Sequence, residues 1–228
     1  MNKNKNKDIS RARLTKYIII FSLLYCITQL TVSLYNDNRL SRYLWLEHKD
    51  APELIKEGKP SKSVYSEIIR NISDHHFWIL RLCIVTSFFL ALYYKAKNEK
   101  KYILYRNLTI SVIVILILIS GVLTWSLKLI IGKARPYAKV DLFSPFSLST
   151  RFHSFPSGHT TETFSYLTPL IYYSKRYIIK ILLVSYGIVT SLTRIILSYH
   201  FITDVIFGIY ITLTLGYIIC YLIEKRYR

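Results

Sequence analysis

Three short segments in the second half of the chain carry residues that could bind and transfer a phosphate group. In the first, Lys128 and Arg135 stand seven residues apart, which on a helix is two turns and would place both cations on roughly the same face. Pro136 would end that helix and leave Arg135 in its last turn beside a loop. Taken alone, such a pair is more typical of basic side chains that reach lipid phosphates at a membrane edge.

The second segment, residues 156–159, reads Pro-Ser-Gly-His and directly precedes an apolar stretch. Its composition suits a turn that enters a helix, and the free backbone amides at a helix start bind anions. Gly158 would let the backbone approach a ligand closely, Ser157 offers a hydroxyl donor, and His159 could exchange a proton with a bound group. An ordinary helix cap with an incidental histidine would have the same sequence.

In the third segment, Arg194 precedes His200 and Asp204, which are spaced i, i+4. On one helix face this carboxylate could hold the imidazole, set its tautomer and leave the other ring nitrogen free as a nucleophile or base. The alternative is an ion pair that caps a helix at a membrane edge, with Arg194 reaching toward lipid. Ionisable groups clustered at such a boundary nevertheless favour a functional site.

Together the three segments predict a phosphate site. Phosphoryl transfer spreads negative charge over three oxygens and mainly requires positioned positive charge, an in-line nucleophile and a proton donor. The cations that could supply this charge in place of Mg²⁺ are Lys128, Arg135 and Arg194. A metal site with His159, His200 and Asp204 as ligands is the competing interpretation. Because three nearby cations would repel a divalent ion, we expect neither a metal nor a cofactor.

The hydrophobic pattern indicates that these segments belong to an integral membrane protein. Hydrophobic residues make up 52% of the 228 residues despite a net charge of +18, and they form runs of about 20, long enough to cross a hydrocarbon core. We expect an all-α bundle of six transmembrane helices in a single domain, residues 1–228. The predicted spans are 17–34, 76–94, 108–127, 160–174, 178–199 and 201–223. The fourth is the most polar, which a buried place in the bundle would explain.

An even number of spans would place both termini on one side, and the excess of Lys and Arg on that side predicts that it is the cytoplasm. The basic stretch before the first span lacks a small-residue cleavage site and indicates a retained signal anchor. The three phosphate-binding segments then lie at the outer face. The polar loop 35–75 carries Val64, Ile68, Ile69 and Ile72 at helical spacing, which predicts an amphipathic helix on the outer membrane surface between the first and second spans.

The charge and the cysteines argue against two other classes of protein. Nucleic-acid binding would need a basic patch on a soluble surface, whereas here the charges flank the hydrophobic runs. Cys26, Cys83 and Cys220 all fall inside apolar runs. A disulfide framework is therefore not expected.

The three segments, in this order and at this spacing, resemble the motifs of the type-2 phosphatidic acid phosphatase superfamily of membrane lipid phosphatases. KLIIGKARP at 128–136 is similar to its first motif, PSGH at 156–159 to its second, and TRIILSYHFITD at 193–204 to its third. Thr193 stands where the family usually has Ser, and it keeps a hydroxyl. The motifs cover residues 128–204, whereas the amino-terminal half resembles the family in its hydropathy alone.

The resemblance implies an all-helical core in which His200 attacks phosphorus and forms a phosphohistidine, with Asp204 orienting the ring. His159 would protonate the leaving group and then activate the water that releases phosphate. The residues implied to hold the phosphoryl oxygens are Lys128, Arg135, Ser157, Gly158 and Arg194.

The resemblance also implies a multi-pass protein of the bacterial inner membrane with its active site on the periplasmic face. Bacterial members act on lipid A 1-phosphate, undecaprenyl pyrophosphate or phosphatidylglycerophosphate. The contexts IGKARPY and HSFPSGH look similar to these enzymes, and lipid A 1-phosphate is our first expectation. The expected partner is a membrane lipid phosphate and not nucleic acid; the sequence selects no oligomeric state. A lipid-to-lipid phosphotransferase would carry the same motifs, and a non-catalytic lipid-binding protein could retain the pocket without turnover.

Overall fold

The computed structural model of the protein describes residues 64–138 and 142–227, and every regular element in these two ranges is helical. The α-helices are α1, Val64–Ala96; α2, Lys101–Ile115; α3, Thr124–Ile131; α4, Gly158–Tyr173; α5, Tyr177–Ile196; and α6, Ile202–Arg226. A π-helical segment, Leu116–Leu123, joins α2 to α3, and a 3₁₀ turn, Thr150–Phe152, precedes α4. The predicted all-α class is confirmed for the described part of the chain.

Within the described ranges, four helical stretches are long and apolar enough to cross a membrane. They are Phe77–Ala96, Lys101–Ile131, Tyr177–Ile196 and Ile202–Arg226. These stretches correspond to the second, third, fifth and sixth predicted spans. The first predicted span, 17–34, lies outside the described residues, so the count of six remains a prediction.

The fourth predicted span, 160–174, corresponds to α4, which is shorter than the other spans. Its 16 residues rise about 24 Å, less than the ~30 Å of a hydrocarbon core. Most of its residues are buried, and their hydroxyls bond within the helix, as when Thr168 Oγ1 donates to the Phe164 carbonyl at 2.6 Å. The buried place expected for this polar segment is confirmed.

The helical spacing predicted for residues 64–72 is present, but it forms the first turns of α1 and not a separate helix. The 33 residues of α1 run without interruption from Val64 to Ala96, and the part that is apolar enough for a membrane begins at Phe77. The predicted amphipathic helix on the outer surface is therefore not confirmed. The rest of its loop, 35–63, lies outside the described residues.

The third predicted span is one continuous helical rod made of α2, the π-helical segment and α3. Thr124 Oγ1 donates to the carbonyl of Ile119, five residues earlier, at 2.8 Å, a reach that matches the wider π-helical turn. The rod ends at Gly132, whose φ of +57° favours glycine. A Cβ there would lie 1.9 Å from the Ser144 carbonyl oxygen. Gly132 thus ends the helix and lets the following loop fold back against it.

Helices α4 and α6 pack side by side along a seam of small residues. A Cβ on Gly216 would lie 2.8 Å from Thr168 Cγ2, and one on Gly208 would lie 3.3 Å from Thr160 Cγ2. Glycine at these positions lets the two backbones approach without an intervening side chain. Because residue numbers rise together along the seam, the helices are parallel and their first turns are neighbours.

The outward faces of α1 and α5 are apolar. Trp78 and Phe89 on α1 are 66% and 61% exposed, and Leu182 and Val189 on α5 are 62% and 63% exposed. A contiguous apolar exterior of this kind is typical of a surface that contacts acyl chains. The exterior therefore agrees with the membrane assignment made from hydropathy.

Candidate active site

The two seam helices and the ends of two neighbours bring the predicted site residues to one end of the bundle. Lys128 lies in the last turn of α3, and Arg194 lies in the last turn of α5. Asp204 lies in the first turn of α6. The backbone N–H of Ser157 donates to the Asp204 carbonyl at 3.1 Å. This bond joins the start of α4, with its Pro-Ser-Gly-His sequence, to the start of α6.

Lys128 is a buried cation directed at the start of α4. Its Nζ donates to the His153 carbonyl at 2.7 Å and lies 3.9 Å from the point that a Cβ on Gly158 would occupy. The missing side chain at Gly158 therefore leaves space beside the ammonium group. The two residues are brought together as the sequence predicted.

Two guanidinium groups lie close to one aromatic ring. The guanidinium carbon of Arg194 is 4.8 Å from the centroid of Tyr199, and that of Arg135 is 5.5 Å from the same centroid. Tyr137 stands edge-on to Tyr199 at 5.9 Å. In the described part of the chain the buried Nε of Arg135 has no hydrogen-bond acceptor, which leaves a donor available to an anion.

The sequence analysis did not predict that Tyr199 would contact both guanidinium groups or that Tyr137 would pack against Tyr199. Both residues adjoin motif positions, Tyr137 after Pro136 and Tyr199 before His200, so their neighbourhood was a usable signal. A tyrosine ring in contact with two guanidinium groups attracts both by cation–π interaction.

Arg135 is placed by a loop and not by the helix that the sequence predicted. The helix ends at Ile131, because Gly132 adopts a left-handed conformation. The backbone N–H of Arg135 instead donates to the Arg151 carbonyl at 2.8 Å. The same-face argument for Lys128 and Arg135 was therefore wrong, although both side chains lie at the candidate site.

His200 lies just before α6 and is buried. Its Nδ1 is 2.7 Å from the carbonyl oxygen of Ser154; since a carbonyl only accepts, Nδ1 carries the proton and Nε2 keeps its lone pair. Burial lowers the pKa of His200 from 6.5 to about 3, with Asp204 opposing and Lys128 and Arg135 adding to the decrease. The imidazole is thus neutral at physiological pH and presents an unprotonated Nε2.

Asp204 is fully buried and accepts several hydrogen bonds. Its Oδ1 accepts from Lys133 Nζ at 2.7 Å, and its Oδ2 accepts from Ser154 Oγ at 2.5 Å and from the Phe201 N–H at 2.9 Å. The distance from Oδ2 to His200 Nδ1 is 3.8 Å, longer than a hydrogen bond. Asp204 therefore lies beside the imidazole of His200 without a direct hydrogen bond to it. The Ser154 carbonyl accepts the hydrogen bond from Nδ1.

Lys133 and Ser154 are site residues that sequence reasoning missed. A continuous helix through the first motif would turn Lys133 away from the face that carries Lys128. Because the helix ends at Gly132, the chain turns and Lys133 enters the interior, where its side chain is 0% exposed. No spacing rule on a single helix could have placed it.

His159 lies in the first turn of α4 and is half-buried. Its ring stands edge-on to Phe77 of α1, with centroids 5.4 Å apart. The position agrees with a proton donor at this end of the bundle, and its role in proton transfer remains a prediction. Among the described residues no three His, Cys, Asp or Glu side chains lie close enough together to hold a metal ion. The competing set of His159, His200 and Asp204 does not form such a group.

Comparison with known proteins identifies the family. Residues 108–228, more than half of the chain, match the model of the PAP2 superfamily. The chain belongs to the PAP2 superfamily. This is the family of type-2 phosphatidic acid phosphatases that the three motifs resemble, so that prediction is confirmed. The protein is a multi-pass membrane phosphatase, a hydrolase of phosphoric esters.

Two proteins similar to this PAP2 phosphatase are named lipid A 1-phosphatase. The one from Rhizobium etli is 28% identical over 167 residues, which cover 70% of this chain and 71% of that protein. The one from Rhizobium johnstonii is 34% identical over 97 residues, which cover 41% of this chain and 39% of that protein.

A solved structure shows a similar fold. The crystal structure of a transmembrane PAP2-type phosphatidylglycerolphosphate phosphatase from Bacillus subtilis superimposes with a TM-score of 0.57. The match covers 94% of this chain and 98% of that chain at 18% identity. This likeness supports the helical membrane architecture.

Proposed function

We propose that this phosphatase hydrolyses lipid A 1-phosphate through a phosphohistidine intermediate on His200, without a metal ion or cofactor. The observation that carries the proposal is the state of His200, a buried neutral imidazole whose Nδ1 proton is held by the Ser154 carbonyl. A ring held in this tautomer offers the Nε2 lone pair, which is the form that attacks phosphorus.

The proposed reaction has two balanced steps. In the first, His200 Nε2 bonds to phosphorus and the bond from phosphorus to the lipid oxygen breaks; that oxygen takes a proton from His159. In the second, neutral His159 takes a proton from water, the water oxygen bonds to phosphorus, and the bond to Nε2 breaks. Inorganic phosphate leaves, and both histidines return to their starting states.

Positive charge around the phosphoryl oxygens supplies the electrostatic part of catalysis. The proposed ligands of these oxygens are Lys128, Arg135, Ser157, Gly158 and Arg194. The buried Arg135 Nε is a donor already desolvated and available to an anion. Fixed cations and amides of this kind stabilise the charge that a divalent ion stabilises in other phosphoryl-transfer enzymes. We therefore expect activity to persist in EDTA.

The choice of substrate rests on the two similar proteins named lipid A 1-phosphatase. Undecaprenyl pyrophosphate and phosphatidylglycerophosphate are the alternative lipids. A phosphotransferase that passes the group to a second lipid would use the same first step. A non-catalytic lipid-binding protein would have no need of an unprotonated Nε2 beside the phosphate ligands.

The proposed topology has six spans, both termini in the cytoplasm and the active site at the outer face of the bacterial inner membrane. Basic residues at the bundle end opposite the site support this orientation. Those in the described ranges include Lys95, Lys101, Lys175, Arg176 and Lys225. Arg106 near this end donates to the carbonyl of Tyr227 at 3.0 Å, so the start of the third span and the end of the last lie together.

Phosphate release by the purified protein in detergent with EDTA tests the proposal. Lipid A, undecaprenyl pyrophosphate and phosphatidylglycerophosphate are supplied separately, and His200→Ala is compared with a matched control, His75→Ala, which changes an exposed histidine outside the site. We expect lipid A to be hydrolysed fastest, His75→Ala to keep activity and His200→Ala to lose it.

Each other outcome rejects a defined part of the proposal. Faster release from another lipid rejects the substrate, and activity that EDTA abolishes rejects metal independence. Release that continues in His200→Ala rejects the nucleophile. If no inorganic phosphate is released and the phosphoryl group is found instead on a second lipid, the protein is a phosphotransferase.

A further inference from the structure

Lys133 forms a buried ion pair on the far side of the carboxylate that neighbours the nucleophile. Its Nζ lies 2.7 Å from Asp204 Oδ1, and both side chains are 0% exposed. The same Nζ donates to Thr203 Oγ1 at 3.3 Å. A fully buried charge is stable only when a partner of opposite charge and further hydrogen bonds compensate it. Lys133 and Asp204 each provide this compensation for the other.

Two aromatic rings lie against this ammonium group. Lys133 Nζ is 4.3 Å from the ring centroid of Phe201 and 5.8 Å from that of Phe155. The cation is therefore held by a carboxylate and covered by rings, in contrast to Arg135, which has a donor available to an anion. This placement argues against Lys133 as a further ligand of phosphate.

Ser154 connects the ion pair to the nucleophile. Its hydroxyl donates to Asp204 Oδ2 at 2.5 Å, and its carbonyl accepts the Nδ1 proton of His200 at 2.7 Å. Its backbone N–H donates to the Lys133 carbonyl at 3.0 Å. The Ser154 carbonyl that accepts the His200 proton thus belongs to a residue that is held by both Lys133 and Asp204.

We propose that Lys133 is a positioning residue that fixes the orientation and tautomer of His200 through Asp204 and Ser154. This inference rests on the proposed role of His200 as nucleophile. Without the ammonium group the carboxylate would be buried with an uncompensated charge. It would then shift or take up a proton, and the Ser154 carbonyl would no longer be held against Nδ1.

The test is a double-mutant comparison of Lys133→Met, which keeps the length of the side chain without its charge, and Asp204→Asn. We expect Lys133→Met to lower kcat by about 100-fold, as small misplacements of a reacting group do. KM and inhibition by inorganic phosphate should change little, because the phosphate ligands are untouched. Lys133→Arg should recover part of the lost kcat.

In the Asp204→Asn background, Lys133→Met should cause no further loss, because the lysine acts through that carboxylate. The matched control is Lys175→Met, which removes an exposed lysine at the opposite end of the bundle. It should retain wild-type kcat. If Lys133→Met does not fold, Lys133→Arg, which keeps a positive charge beside Asp204 but changes the position of its donors, is compared with wild type; its kcat should fall while KM and inhibition by inorganic phosphate stay unchanged, and a wild-type kcat in that variant would overturn the inference.

Three results would overturn the inference. They are a kcat for Lys133→Met within about threefold of wild type, a loss of phosphate affinity parallel to the loss of kcat, and a further large loss in the Asp204→Asn background. A wild-type protein that releases no phosphate rejects the proposed function and this inference with it. An active, His200-dependent wild type with a fully active Lys133→Met variant rejects the positioning role alone.

Discussion

Lowering the pH should destabilise the folded protein through His200. Burial lowers the pKa of His200 from 6.5 to about 3, whereas the same ring in the unfolded chain takes up a proton below about pH 6.5. The unfolded state therefore binds more protons over this interval, and stability is lost as the pH falls below 6.5. At ~1.36 kcal/mol per pH unit, the loss from pH 7.5 to pH 5.0 is about 2 kcal/mol. For a chain of this size that corresponds to ~4–8 °C in Tm.

The assay is thermal unfolding in detergent, followed by tryptophan fluorescence, for the wild type and for His200→Gln. Glutamine cannot be protonated in this range, so the change in Tm with pH should be smaller in the variant by the amount given above. Other titrating groups are common to both proteins and cancel in the difference. An equal fall of Tm in both proteins would show that His200 is not held neutral, and the argument for a nucleophile free at physiological pH would fail with it.

Two substitutions test other parts of the structure. Tyr199→Leu should lower kcat/KM by up to about thirtyfold, since two cation–π contacts of ~1 kcal/mol each are lost; Tyr199→Phe keeps the ring and should stay near wild type in the same kinetic assay. Gly216→Ala should destabilise the protein by about 1–3 kcal/mol, because its methyl group would overlap Thr168. Gly121→Ala, where the nearest contact is 3.4 Å, is the control in thermal unfolding, and an equal Tm for the two alanine variants would contradict the close seam.

The features predicted correctly from the sequence are those that depend on local pattern. Long apolar runs identified four helices that the structure contains, and the less hydrophobic residues 160–163 and Pro169 of the fourth span indicated a helix buried in the bundle. The spacing of His200 and Asp204 placed them next to each other at the start of α6. These conclusions need only helical periodicity and the length of a hydrocarbon core.

The features that were missed depend on where helices end and on contacts distant in sequence. Gly132 ends its helix four residues earlier than Pro136 would, and the chain reversal that follows turns Lys133 inward. Ser154 meets His200 across 46 positions of sequence, which no periodicity reports. The conformation of Gly132 thus decides whether the first motif continues as a helix to Arg135 or turns after Ile131. That conformation depends on the packing of the loop around Ser144, which lies too far along the chain for helical periodicity to report.

The seam between α4 and α6 limits how the catalytic centre can open. Gly216 packs against Thr168, and the Ser157 amide donates to the Asp204 carbonyl. The two helices therefore cannot slide or separate without losing this packing and this hydrogen bond. The seam therefore holds the start of α4, with the proposed anion-binding amides, against the start of α6, next to the proposed nucleophile. The ring of Phe77 stands edge-on to His159, so a displacement of α1 would change the surroundings of His159 without disturbing the seam.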